Sequence, residues 1–284
     1  MSGSRRTPAI DPDDEAYCRD LVRTYDRDRY LCDLFAPRDL RPVLFVVHAF
    51  ALETSLVPAK VSEPMLGALR LQWWRETIDR AGGGARLGNP LADALGSAIA
   101  AGAVTQADLD ALIDAREAEL GGAAAATLSS LEDHLARAHG IPLAQAARIL
   151  APGAAAGEAA RHAGIALGLT AMLARLAEPR APGTPPAQVP GDLLRVHGLA
   201  FIDPTTTEAE IRPVAADLVA TARHALDRAR GDIAGLAGGV LPAFLPLATV
   251  AADLRRMERA PLAGPRGPLR RQFAIYRAAR RGRI

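Results

Sequence analysis

The residues of this sequence that could bind or react lie in a few places, and each also has a plain structural use. Glu53 stands on an apolar run from Val43 to Val61 that is broken by His48, Glu53, Pro58 and Lys60. An unpaired carboxylate there would be costly. Glu53 therefore reads either as half of a buried ion pair with Arg70 or Arg75, or as a polar anchor for a lipid or prenyl ligand. His48 and His162 read as hydrogen-bonded core histidines, with a place in an apolar pocket as the alternative. No second His, Cys or carboxylate stands at ligand spacing from them, so no zinc is expected and no cofactor is called for. Trp73 and Trp74 read as core anchors, because a large aromatic at a helix interface buries much area. Arg266 to Arg283 hold seven arginines and no acid. Such a segment suits anionic lipid or an acidic partner, or complements a helix dipole on a solvated face.

Charge and cysteine content exclude several classes of function. The formal net charge is +2, which makes no case for nucleic acid. Cys18 and Cys32 lie several turns apart on one expected helix, with no CxxC pattern, so a reducing compartment is implied. Arg5-Arg6 is followed by no apolar stretch, and neither a Sec nor a Tat signal is expected. The interrupted Val43–Val61 run reads as a buried core helix, not a membrane span. A cytoplasmic protein is the expectation.

The elements that position these residues are helical. Aromatics make up only 4% of the 284 residues, while alanine, the best helix former, is abundant. Asp11, Pro12 and the acids after them predict a helix running to about Phe35. A second helix is expected over Asp39–Val57, and a third from the Ser62-Glu63-Pro64 cap to Gly82-Gly83-Gly84. Asn89-Pro90 and Thr105–Asp108 start two more. The next covers Thr127 to His139, separated by Gly140-Ile141-Pro142 from a shorter one. A small-residue helix spans Ala155–Ala177, where Gly164 and Gly168 permit close packing or leave room for a ligand. After a proline-rich loop, Pro179–Pro190, come a short turn at Asp192–His197 and a helix from the Thr207/Glu210 capping box to Gly231. Two helices follow, near Val240–Glu258 and Leu269–Arg281. No segment alternates like a strand and no repeat stands out. The expectation is an all-α chain, with a flexible stretch over residues 1–10 and a single helical domain over 11–284.

Two segments carry a resemblance. AFALETSLVPAKVSEPMLGALRLQWWRETID, from Ala49 to Asp79, includes Leu71, Trp74 and Arg75 in L-x-x-W-R order. HAGIALGLTAMLARLAEPRAPGTPPAQVPGDLLRVHGL, from His162 to Leu199, ends in Val189-Pro190-x-Asp192-Leu193-Leu194 followed by His197-Gly198. Together they resemble the two signature regions of the squalene/phytoene synthase family, which implies an isoprenoid-synthase-type helical fold. In active members each signature carries aspartates one helical turn apart, so that facing carboxylates hold Mg²⁺ against a leaving diphosphate. Here the matching positions are Ser55, Leu56 and Ala59 in the first region, and Ala171 and Arg175 in the second. Only Glu178 survives near an acidic position. The motifs are degenerate at both sites, which implies no metal and no catalytic residue of the family's type.

The run Ala49-Phe50, Glu53, Glu63 and Arg70 to Trp74 is similar to a non-catalytic branch of that family, which contains the assembly factor of respiratory complex I. The word His162 to Thr170 is shared with α-proteobacterial relatives of that branch. The resemblance implies a protein-binding factor whose partner is a complex I subunit or assembly intermediate. The basic residues Arg266–Arg283 would hold such a protein at the inner face of the cytoplasmic membrane by peripheral contact. Two alternatives stand beside it. One is an active head-to-head prenyl transferase of the phytoene, squalene or hydroxysqualene synthase type, with unusual ligands. The other is a lipid- or isoprenoid-binding protein using a residual pocket at His48, Glu53, Arg70, Trp74, Gly168 and Thr170.

Overall fold

The computed structural model describes residues 8–61, 63–122, 124–179, 187–236 and 238–284. Among the described residues the ordered elements are helices, with no β-strand. Most helix starts follow from chemistry within one turn. In α1 (Pro12–Tyr25), Asp11 caps the first turn by accepting from the Asp13 amide at 3.0 Å. The helix does not continue to Phe35. Asp26 leaves helical geometry and serves both ends, since its N–H bonds the Val22 carbonyl while its carboxylate accepts from the Arg29 amide at 3.1 Å. That second bond opens α2 (Arg27–Asp33). Helices α3 (Arg41–Ser55) and α4 (Val57–Lys60) meet at Leu56, earlier than Pro58 implies.

α5 (Pro64–Gly82) begins with its proline, and Glu63 at the cap position makes no capping bond; Ser62 of the expected cap lies outside the described residues. Asn89 caps α6 (Pro90–Ala100) and Thr105 caps α7 (Gln106–Glu117), both as their side chains imply. The full capping box of Thr207 and Glu210 opens α11 (Glu208–Ala234), and these bonds hold the Glu210 carboxyl below its usual range.

Two helix boundaries differ from those expected from the sequence. α8 runs unbroken from Leu128 to Leu150 with Pro142 inside it. Proline in a helix interior costs a hydrogen bond and clashes with the preceding turn. Here buried residues on both sides, among them Leu135, Ala138, Leu143, Ala146 and Ala147, hold the helix together across that defect. Conversely, the helix expected over Val240–Glu258 is divided. A 3-10 turn leads into α12 (Leu241–Phe244), and α13 (Leu247–Met257) starts after Pro246. The remaining elements are α9 (Gly157–Leu176), α10 (Gly191–Val196) and α14 (Pro268–Arg281). Residues 180–186 of the proline-rich loop lie outside the described residues.

Packing divides the chain into two compact units with interleaved segments. One holds Met1–Gly121, Ile141–Ala154 and Ala237–Ala243; the other holds Gly122–Gly140, Ala155–Leu236 and Phe244–Ile284. Residues of α8 fall in both units. In the first unit α3 is apolar on nearly every side and is packed by α1 and α6, while α5 lies on α6 and α7. In the second, α9 packs along α11, α13 packs on both, and α14 lies on α13.

Candidate functional site

The first signature region belongs to the first unit. His48 is buried, and its Nδ1–H donates to the equally buried Asp33 carboxylate at 2.8 Å, while its Nε2 has no partner. Asp33 therefore gives His48 its hydrogen bond, a partner that sequence spacing does not reveal. Glu53 pairs with Arg70 at 3.2 Å, but the Arg70 side chain is 53% exposed, so this is a surface pair and not the buried one expected. The Arg70 guanidinium also lies 5.2 Å from the centre of the Trp73 ring. Trp74 is buried and meets Phe50 edge to face at 5.4 Å. Trp73 corrects the sequence reading, for it is 40% exposed and no core anchor. With Met65, Leu66 and Leu69 it forms an outward apolar face on α5.

Arg75 does not reach Glu53. It ties α5 to α7 by binding Asp110 at 3.7 Å, Glu117 at 3.0 Å, and Asp114. Burial lowers its pKa, but the hydrogen bonds it donates to Asp114 and Glu117, with the charges of those two carboxylates, outweigh this and raise it. Burial is also the main reason the Asp110 carboxyl sits above its usual range, against the attraction of Arg75. This acidic face of α7, whose three carboxylates share Arg75, is not part of the sequence reading. Its spacing of four and then three residues on one helix was the available signal.

At the positions of this unit that the resemblance matches to the family's metal ligands, the Ser55 hydroxyl donates to the Leu52 carbonyl at 2.7 Å. Leu56 lies at the junction of α3 and α4, and Ala59 lies within α4.

The second signature region belongs to the second unit. His162 donates through Nδ1 to Asp232 at 2.7 Å, joining α9 to the end of α11. A Cβ on Gly168 would come within 2.5 Å of Leu135 and 2.8 Å of the His139 ring, so α8 side chains fill the space this glycine leaves. The Thr170 hydroxyl donates to the Ala166 carbonyl at 2.7 Å. Ala171 is half-buried, whereas Arg175 and Glu178 are exposed at the end of α9. Asp192 has a structural task that its motif did not disclose. Both its oxygens accept from the Leu128 amide at 3.1 Å, which caps the start of α8 from a distant part of the chain.

The family's Mg²⁺ chemistry needs several hard oxygen donors on each signature. Ser55, Leu56, Ala171 and Arg175 do not fit that requirement: one hydroxyl is engaged by backbone, two side chains are hydrocarbon, and the last is a cation. Among the described residues, no three His, Cys, Asp or Glu side chains are grouped to hold a metal ion. No helix among them is long and apolar enough to cross a membrane.

Comparison with known proteins agrees with this fold. The chain is 27% identical over 248 residues to "NADH dehydrogenase (ubiquinone) complex I, assembly factor 6" of Bos taurus, covering 86% of this chain and 74% of that one. The Homo sapiens protein of the same name is 28% identical over 246 residues, with 86% and 73% covered. Among solved structures, a dehydrosqualene synthase superposes with a TM-score of 0.74 at 15% identity, over 95% of this chain and 96% of that one. The squalene synthase HpnC of Alicyclobacillus acidocaldarius does so with a TM-score of 0.68 at 18% identity, over 98% of each. The squalene/phytoene synthase family profile matches residues 22–273, and the chain is a member of that family with its isoprenoid-synthase helical fold.

Proposed function

We propose that this chain is a catalytically silent member of its family that binds a client protein during assembly of respiratory complex I. What carries this reading is the donor set: Ser55, Leu56, Ala171 and Arg175 fill the positions that the family resemblance matches to its metal-binding carboxylates, and none of them offers a carboxylate. The relatives named complex I assembly factor 6 support the client, since they match 86% of this chain. The outward apolar face of α5 supports a protein-binding role, because Met65, Leu66, Leu69 and Trp73 together form a patch of the kind that marks interfaces. The side chains of Leu135 and His139 against Gly168 favour a filled helix groove over a retained isoprenoid tunnel.

The site of action is the cytoplasm at the inner face of the cytoplasmic membrane. Arg266–Arg283 supports contact there, because α14 buries Ile275 and Ala278 while exposing Leu269, Phe273 and Tyr276 among its arginines. Deleting the gene tests the reading. NADH:quinone oxidoreductase activity should fall while carotenoid and hopanoid content stays intact. Normal oxidoreductase activity with missing triterpenes or carotenes would instead favour prenyl transfer.

A further inference from the structure

The second unit contains a cleft of about 790 Å³ whose polar lining is arginine. Arg230 comes from α11, Arg255 from α13, Arg266 from the loop that follows, and Arg270, Arg277 and Arg281 from α14. Among the described residues, no acidic side chain lines it. The acids nearby are engaged elsewhere. Asp253, 1% exposed, binds Arg271 and accepts the Arg266 backbone N–H at 3.0 Å. Glu258 binds Arg223, and Asp227 binds Arg230 at 3.2 Å. Among the described residues, Arg255, Arg266, Arg270, Arg277 and Arg281 make no ion pair.

Two observations mark the cleft as built for an anion and not merely solvated. The Nε atoms of Arg230 and Arg266 are buried and have no hydrogen-bond partner. Leaving such donors unmatched is unfavourable, and more so on a charged group. The buried Asp253 anchors both the Arg266 backbone and the Arg271 side chain, so the loop and α14 are held with their other arginines gathered at one place. Burial, together with the charges of Arg266, Arg223, Arg230 and Arg277, lowers the pKa of Arg255, as mutual repulsion should. An anion entering the cleft would relieve that repulsion. The floor is apolar, formed by alanines of α13 and α14, with Leu269 and Phe273 at the rim.

We propose that this cleft binds the phosphate group of an anionic amphiphile. Guanidinium forks take the phosphate oxygens in paired hydrogen bonds, and the alanine floor with Leu269 and Phe273 takes the adjoining hydrocarbon. The proposal rests on the membrane contact described above only for the source of the phosphate. It adds Arg230 and Arg255, which lie outside the basic C-terminal stretch, and it is independent of any role in assembly.

The test uses the purified full chain. Flotation is measured with vesicles of phosphatidylcholine alone and of phosphatidylcholine mixed with phosphatidylglycerol, and inorganic diphosphate is titrated calorimetrically. Arg266→Glu/Arg277→Glu is compared with Arg38→Glu/Arg80→Glu, which changes net charge equally outside the cleft. Circular dichroism checks that both variants fold. The expected result is binding to the phosphatidylglycerol vesicles that the cleft variant weakens roughly tenfold or more and the control changes by no more than about twofold. Saturable diphosphate binding lost only in the cleft variant, without vesicle binding, supports the phosphate site with a soluble ligand as its source. Equal loss in both variants would reduce the effect to net charge and overturn the site. Absence of binding to either probe would overturn it as well.

Discussion

Gly140 of α8 and Gly164 of α9 meet backbone to backbone: a Cβ on Gly164 would lie 2.5 Å from the Gly140 nitrogen and 2.8 Å from its Cα. No flexible side chain is available to move aside. Gly164→Ala should therefore destabilise the protein by about 1–3 kcal/mol, as overpacking does. Gly157→Ala is the control, because nothing lies within 4 Å of a Cβ there, and it should be neutral or stabilising by about 0.4–1 kcal/mol. Urea titrations of the two variants measure the difference. Equal midpoints would mean that the helices do not cross at this pair.

The adjacent tryptophans should separate sharply. Trp74 is 2% exposed and sits edge to face with Phe50, so Trp74→Ala should cost roughly 3–5 kcal/mol. Trp73 is 40% exposed, and Trp73→Ala should change stability by under about 1 kcal/mol. Trp73 stands on the outward face of α5, so its removal should instead reduce client capture. A larger melting shift for Trp73 than for Trp74 would reverse these roles.

Cys18 offers a pH test. Burial pushes its thiol from an ordinary value of 9.0 up to about 12. The unfolded chain then releases this proton first, so the native state binds it more tightly. The associated stability is fully present below pH 9.0 and is lost as pH rises towards about 12. Cys18→Ala should flatten the decline in stability measured between neutral and alkaline pH. Native Cys18 should also resist alkylation at neutral pH and react once the chain is unfolded in denaturant. Rapid labelling of the native protein, followed by mass spectrometry, would contradict this placement.

Incubation with farnesyl or geranylgeranyl diphosphate and Mg²⁺ should give no presqualene, prephytoene or hydroxysqualene product above a blank without protein. Mass spectrometry of the extracted lipids reads the result. Any such product would require carboxylate donors other than those of the signature positions.

Much of the helical framework is decided by the sequence alone, because its causes lie within three or four residues. Asn89, Thr105 and the Thr207/Glu210 box each satisfy the amides of their own first turn, and the observed helices start where those side chains stand. The family was legible for a different reason. Its two signature words survive in order, and the family profile matches residues 22–273.

Tertiary structure decided what depends on residues far apart. Pro142 stays within α8 because packing on both sides of it outweighs its local preference. Arg75 could have met any acid, and it is the approach of α5 to α7 that selects Asp110, Asp114 and Glu117. Asp33 and His48 share a buried hydrogen bond because α2 packs on α3. The arginine cleft shows the same limit. Arg266 to Arg283 are visible as a basic run, but Arg255 joins them through the packing of α14 on α13, with Asp253 as the anchor, and Arg230 through the packing of α11 on α13. Side-chain charge is a local property of the sequence, whereas convergence of charges depends on which helix faces meet.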